Sequence, residues 1–395
     1  MNTAPQSIRR HIAIFGRRNA GKSSLLNAIT GQRAAIVSSQ AGTTTDPVNR
    51  AMELHPLGPC LFIDTAGFDD EGPVGQLRNA RTRDVVEQAD MALMVIDQTA
   101  NLDLEKTWLE LLRNLEIPTV LVLNKVDQID DVALETQRAA RALGMTPVAV
   151  SATAATGLDD VRHALARAAG DDEHASLTGS LAGEGDLVVL VMPQDPQAPR
   201  GRLILPQVQT LRDLLDKHCR VMCCDTASLE GSLTSLRESP TLLITDSQVF
   251  KQVQELTPAG TRLTSFSVLM AASKGHIDVM VEGARAIDRL TPHSRVLIAE
   301  ACTHAPMSED IGRVKIPRLI KRRFGDTVQF HVHAGKDYPA DLSRYDLIIH
   351  CGACMFNRRL MLSRIRRARE QGVPITNYGL AIAHLQGILD KVALP

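Results

Sequence analysis

The sequence predicts an α/β chain of three domains. Three observations predict it: short apolar segments alternate with helical patterns along the chain, a glycine-rich loop joins the first such segment to the first helix, and small and acidic residues at 170–185 set the first third apart. At 395 residues the chain is too long for one core, and 44% apolar residues suffice for several. Aromatics are only 3%, so the cores must be built from Leu, Val, Ile and Ala. A net charge of −1 argues against a general nucleic-acid binder, which needs a broad basic surface. No apolar run reaches the roughly 18–20 residues of a spanning helix, and the polar stretch 1–10 lacks a signal-peptide core. No membrane partner and a cytoplasmic location are the expectation.

His11–Phe15 reads as a strand, Gly16-Arg17-Arg18-Asn19-Ala20-Gly21-Lys22-Ser23 as a loop, and Ser24–Thr30 as a helix. That context is what a GxxxxGKS match requires. Glycines such as Gly16 and Gly21 let the backbone wrap phosphates with its N–H groups inward, and the helix N-terminus adds partial positive charge. Lys22 would reach the β- and γ-phosphates and Ser23 would ligate Mg²⁺, with Ser24 beside them in the nucleotide-binding set. Leu61–Asp64 is a strand ending in an acid, followed by Thr65-Ala66-Gly67. Asp64 suits the magnesium shell, and the Gly67 N–H suits the γ-phosphate. Met91–Asp97 and Val120–Leu123 are buried strands, the second running into Asn124-Lys125-Val126-Asp127. The Asp127 carboxylate matches the N1–H and 2-amino donors of guanine; an adenine would leave it unpaired, a discrimination on the order of 10⁴. Pro147–Val150 is another strand, and Ser151-Ala152 follows where a backbone N–H can meet the guanine carbonyl. Four motifs in order select GTP and GDP.

Residues 8 to 170 resemble the TrmE–Era branch of translation-factor-like GTPases. Gly42-Thr43-Thr44-Thr45-Asp46 is similar to that branch's first switch, which implies Thr44 as the second magnesium ligand and a catalytic set of Lys22, Thr44 and Gly67. Phe68 stands where Ras-like proteins carry a water-orienting Gln; an apolar ring cannot orient water, so intrinsic hydrolysis should be slow. Asn19 sits where potassium-activated relatives carry an Asn that helps bind K⁺, a positive charge beside the phosphates. A turn-forming Asn is the other reading.

A second core begins at Asp186, with strands at Leu187–Met192, Val221–Cys224 and Thr241–Ile244 and helices at Leu211–His218 and Ser247–Glu255. It offers no catalytic constellation; Asp195, Asp213 and Asp225 read as solvated loop carboxylates. The seven cysteines of the chain are an odd number, which points to thiols or ligands rather than a disulfide framework. Cys60, Cys219, Cys223 and Cys224 read as packed core thiols.

In the last third, Ser273–Leu290 is helical in pattern, and Arg295–Glu300, Val328–Val332 and Asp346–Ile349 are strands. Cys302-Thr303-His304 follows the first of these strands and His350-Cys351-Gly352-Ala353-Cys354 the last. Both groups lie beyond the C-terminal ends of apolar strands, the usual place for sites in open α/β sheets. Three readings stand: a closed zinc site from the three thiolates and one His, a 4Fe–4S cluster with one exchangeable position, and a redox pair of Cys351 and Cys354 that leaves Cys302 idle. The basic runs Arg313–Arg323 and Arg358–Arg369 are either solvated helix faces or a docking surface for an acidic partner or an anionic cargo.

The two ligand groups, with Met355-Phe356-Asn357-Arg358-Arg359 behind Cys354, resemble the signature of the FeFe-hydrogenase maturation GTPases, the HydF family, and the resemblance extends over the whole chain. It implies a 4Fe–4S cluster on Cys302, Cys351 and Cys354, with His304 or His350 as fourth ligand or as a hydrogen-bonding neighbour. It implies a GTP-hydrolysing scaffold and carrier for the diiron subcluster precursor of the H-cluster, loaded by two radical-SAM maturases and delivering to apo FeFe-hydrogenase. It also implies self-association as a homodimer or tetramer. The expected domains are thus a P-loop GTPase domain at 1–170, a small α/β dimerisation domain at 183–262 and an α/β metal-cluster domain at 263–395. The rival reading is a TrmE-like tRNA-modification GTPase with a zinc or iron–sulfur domain. The near-neutral charge and the scarcity of aromatics for base stacking count against it.

Overall fold

The computed structural model describes residues 6–31, 48–65, 67, 82, 85–170, 176–193, 203–301, 310–335 and 337–395. Thr44, Phe68, Asp195, Cys302 and His304 lie outside the described residues. The chain divides into two compact units, Met1–Asp172 and Glu173–Pro395. The division falls in the small, acidic stretch at 170–185. No helix among the described residues is long and apolar enough to cross a membrane.

The first unit is built on strands β1 (Arg10–Phe15), β2 (Val48–Leu54), β3 (Gly58–Asp64), β4 (Met91–Ile96), β5 (Thr119–Leu123) and β6 (Val148–Ala149). They form one sheet in the order β2-β3-β1-β4-β5-β6, with β2 antiparallel to β3 and the other pairs parallel. Every residue of β4 is buried, as a central parallel strand covered on both faces must be. Helices α1 (Lys22–Thr30), α2 (Asp103–Asn114) and α3 (Val132–Leu143) lie between strands, and α4 (Leu158–Ala169) follows β6. Two apolar layers result, Phe15, Met94 and Leu121 on one face and Ile14, Leu93 and Val122 on the other. Strand β2, at one edge of the sheet, carries Arg50 among its inward-facing positions, which blurs the apolar alternation, and it escapes the sequence reading.

The second unit holds two four-stranded parallel sheets. One comprises β7 (Leu187–Val191), β8 (Arg220–Cys224), β9 (Leu242–Thr245) and β10 (Arg262–Ser265), in the order β10-β9-β7-β8, with α5 (Leu205–Asp216), α6 (Leu229–Ser235) and α7 (Phe250–Leu256). Helices α8 (Phe266–Lys274) and α9 (Ile277–Arg285) lead to the other sheet. That sheet takes β11 (Arg295–Glu300), β12 (Gln329–Ala334), β13 (Leu347–His350) and β14 (Ile375–Asn377) in the order β12-β11-β13-β14, with α10 (Ile316–Phe324), α11 (Arg358–Glu370) and α12 (Tyr378–Leu385). The two sheets are not separate cores. Val189 and Leu243 of one belong to the same buried cluster as Leu297, Ile348 and Ile375 of the other. The boundary expected at 262/263 runs through β10, which pairs with β9 from Arg262 to Ser265.

Several expectations are corrected. Ser273–Leu290 is not one helix: α8 stops at Lys274, where Gly275 ends it and packs so tightly that a Cβ there would lie 2.7 Å from Ile365 Cδ1. Cys60 and Cys219 are core thiols, but Cys223 is exposed, because β8 is an edge strand and adjacent residues face opposite ways. Asp213 is no solvated loop carboxylate. It sits on α5 and accepts from the backbone N–H of Leu177 at 2.9 Å and of Thr178 at 3.0 Å, holding the start of the unit. Asp225, by contrast, is a solvated loop carboxylate as expected, and it accepts from the Ser228 N–H at 2.8 Å ahead of α6.

Candidate functional site

In the first unit, β1 delivers its chain end to the loop 16–21, and α1 starts at Lys22, two residues earlier than the sequence suggests. Lys22 and Ser23 are therefore in the first helical turn, where unpaired N–H groups point at the loop. Gly21 adopts φ 87°, and a Cβ there would lie 2.2 Å from Asn124 Nδ2, so only glycine fits between loop and base motif. A Cβ at Gly16 would lie 2.3 Å from the Val95 carbonyl oxygen. The buried Lys22 ammonium donates to the carbonyls of Gly16 and Arg17, both at 2.9 Å, and so spans the loop it is expected to serve. Asn19 has φ 63°, a left-handed conformation that Asn tolerates well. The turn reading accounts for that backbone; the K⁺ reading concerns its side chain.

Ser23 Oγ donates to Asp64 Oδ2 at 2.5 Å, while the buried Asp64 Oδ1 has no hydrogen-bond partner. Burial pushes the Asp64 carboxyl above its ordinary value, and the Ser23 bond and the Lys22 charge pull it back. A hydroxyl and a buried carboxylate with a spare oxygen, both facing the loop, fit a hydrated Mg²⁺. Gly67 lies just past the C-terminal end of β3, after Thr65, whose Oγ1 donates to the Ile14 carbonyl at 2.6 Å. At the base site, Asn124 Nδ2 donates to the Ala20 carbonyl at 3.0 Å and Asn124 Oδ1 accepts from the Ala152 N–H at 3.2 Å. Lys125 donates to Asp97 Oδ2 at 2.6 Å, and Ser151 Oγ donates to Asp127 Oδ1. The asparagine thus ties the loop at Ala20 to the 151–152 turn.

In the second unit, β11 and β13 run side by side, Ala299 opposite His350, so their C-terminal ends coincide. The Ala301 N–H donates to Cys351 Sγ at 3.0 Å, which places the residue preceding Cys302 against the second thiol. A left-handed turn at Ala353 (φ 51°) shapes the Cys351–Cys354 loop. Burial pushes the Cys351 thiol up to about 11, while the amides of Ala353 and Ala301 pull it down, so binding a metal must displace its proton. Among the described residues no group of three or more His, Cys, Asp or Glu gathers as a metal site. Cys302 and His304, expected to complete it, lie outside them.

His350 does not offer itself as a ligand. It is fully buried, its Nδ1–H donates to the Cys351 carbonyl at 2.9 Å, and its Nε2 accepts from Arg364 Nη1 at 2.8 Å. Burial, with Arg364 beside it, lowers its pKa to about 3, so the ring is neutral. Arg364 itself is 3% exposed and stacks at 4.4 Å on Tyr338 and 4.5 Å on Phe356. That corrects the reading of the second basic run as wholly a surface feature; in the first run, Arg313 pairs at 2.7 Å with the buried Glu300. Replacing His350 by Phe keeps the volume but strands an Arg364 N–H and the Cys351 carbonyl. The expected loss is about 2 kcal/mol, read as a lower urea midpoint of the second unit, with iron content after reconstitution retained.

Two groups at this site carry no sequence signal. Lys274, at the end of α8, is 7% exposed and donates to the carbonyls of Ala353 and Phe356, both at 2.6 Å. Tyr378 Oη is buried without a hydrogen-bond partner, packed where a Cβ on Gly312 would come within 1.9 Å. Burial holds that phenol well above its ordinary value, with Cys351, Glu300 and Asp310 adding to the effect, so it remains a donor. A thiol with amide donors, an orphaned hydroxyl and a buried ammonium fit a sulfur-rich anionic group.

Residues 177–275 match the family model of the hydrogen maturase F dimerization domain, and residues 278–395 that of the hydrogen maturase F tetramerization domain. The chain belongs to the hydrogen maturase F family. Residues 11–125 match the model described as 50S ribosome-binding GTPase. The chain is 40% identical over 120 residues to GTPase Der of Sulfurimonas denitrificans, covering 29% of this chain and 24% of that protein. It is 37% identical over 163 residues to the tRNA modification GTPase MnmE of Psychrobacter cryohalolentis, covering 38% and 34%. The chain thus spans about a quarter to a third of the length of these curated relatives. Among solved structures, Era in complex with MgGDPNP and 16S ribosomal RNA nucleotides aligns at 18% identity and TM-score 0.37, over 54% of this chain and 92% of that one.

Proposed function

We propose that this chain is a GTP-hydrolysing scaffold and carrier in FeFe-hydrogenase maturation. A 4Fe–4S cluster is held by Cys302, Cys351 and Cys354, and the diiron subcluster precursor is its cargo. Two radical-SAM maturases supply that cargo and apo FeFe-hydrogenase receives it. The contact that carries the reading is the Ala301 N–H on Cys351 Sγ at 3.0 Å, in a stretch matched by a hydrogenase-maturation family model. When bound, the cluster supplies an iron with one corner free of protein thiolate. With both His350 nitrogens engaged, His304 is the histidine left for that corner. The first sheet of the second unit serves self-association, and the second sheet carries the cluster loop.

GTP acts as a switch for partner binding and release. Lys22 and Gly67 meet the phosphates, Ser23, Asp64 and Thr44 hold Mg²⁺, and Asp127 reads guanine. Asn19 helps hold K⁺, and turnover is expected to rise several-fold when K⁺ replaces Na⁺ at constant ionic strength; equal phosphate release in the two salts would remove the cation site. Anaerobic purification with metal and sulfide analysis tests the cluster. Iron and sulfide near about four each per chain support it, whereas one zinc without sulfide turns the reading toward the tRNA-modification class. That rival draws on the MnmE similarity, while both models matched over 177–395 are of hydrogen maturase F.

A further inference from the structure

Lys274 closes α8, in the stretch matched by the dimerization model, yet its ammonium is spent on the ligand loop in the stretch matched by the tetramerization model. Its two hydrogen bonds go to Ala353 and Phe356, the carbonyls on either side of Cys354. Both are neutral acceptors. Among the described residues no carboxylate pairs with Lys274, whose ammonium meets only the two loop carbonyls. Burial works against the charge, bringing the amine down to about 8. A buried ammonium without an anionic partner costs several kcal/mol and persists where something repays it. A helix built of Phe266, Val268, Leu269, Met270 and Ala271, buried on most sides, could have ended in an apolar residue here.

We propose that Lys274 is the counter-charge of the metal centre, a positioning residue whose buried ammonium raises the reduction potential of a cluster held at the Cys351–Cys354 loop. This rests on the cluster reading above. A thiolate-ligated 4Fe–4S group is anionic and gains a further negative charge on one-electron reduction. A fixed positive charge behind the Cys354 loop therefore stabilises the reduced form more than the oxidised one. The same ammonium ties the loop to α8, so a shift of that helix changes both loop position and potential.

The test uses the full chain reconstituted anaerobically with iron and sulfide, followed by redox titration read by electron paramagnetic resonance. Lys274→Met removes charge and donors, Lys274→Gln keeps a donor without charge, and Lys274→Arg keeps the charge. At a fixed poised potential, the reduced-to-oxidised ratio is expected to fall at least tenfold in the two neutral variants, equivalent to about 59 mV for one electron, and to stay near wild type in Lys274→Arg. Either neutral variant holding the full iron content at wild-type potential overturns the proposal and leaves Lys274 as a strut. If neither neutral variant holds iron, Lys274→Arg decides: iron retained there supports a requirement for charge, and iron lost there shows that shape alone matters. A wild-type chain without iron and sulfide sinks the cluster reading itself.

Discussion

Replacing Cys351 by Ala is expected to reduce iron from about four per chain to near background and to abolish hydrogenase activation in a reconstituted maturation assay. The residue sits where two strand ends converge, and its sulfur already receives the Ala301 amide at 3.0 Å. Alanine keeps the backbone and deletes the acceptor, so the loop should fold while losing its grip. Cys354→Ala and Cys302→Ala are expected to behave alike, since an iron–sulfur cluster on two thiolates is open to solvent and to loss. Circular dichroism separates a missing ligand from a misfolded unit. Normal iron content in all three variants would rule out the ligand assignment.

Asp127→Asn is expected to lower GTP affinity on the order of 10⁴-fold and to raise affinity for xanthosine triphosphate. In the proposed site the carboxylate accepts from the N1–H and the 2-amino group of guanine. Asparagine turns one acceptor into a donor, which clashes with the amino group and suits the 2-carbonyl of xanthine. The support around it survives, because Ser151 Oγ can donate to the remaining amide oxygen as it now donates to Asp127 Oδ1. Asn124, tied to Ala20 and Ala152, is untouched. Nucleotide titration with both triphosphates reads the switch. Unchanged GTP binding would mean that the base is recognised elsewhere.

Much of the fold was legible because central parallel strands write themselves as unbroken apolar runs: Leu187–Val191 and Met91–Ile96 needed no context. Some edge strands did not. Val48–Leu54 and Arg262–Ser265 mix polar and apolar residues, since one side meets solvent and pairing supplies the rest. The helix break at Gly275 was hidden by the apolar period continuing on both sides of it. Asp213, read as a solvated carboxylate, is instead spoken for by backbone amides remote in sequence.

The sequence by itself determined the nucleotide, through four motifs whose chemistry lies within short stretches, and it named the thiols through their spacing. Local chemistry of that kind survives in one dimension. Only the tertiary structure decided what surrounds the thiols. It paired β11 with β13, and so brought Ala301 to Cys351. It also engaged both nitrogens of His350 and carried Lys274 to the Cys354 loop. Those contacts join residues far apart in the chain, and they offset the cost of desolvating a charge, an imidazole and a thiol together. No single stretch of sequence holds all the terms of that balance.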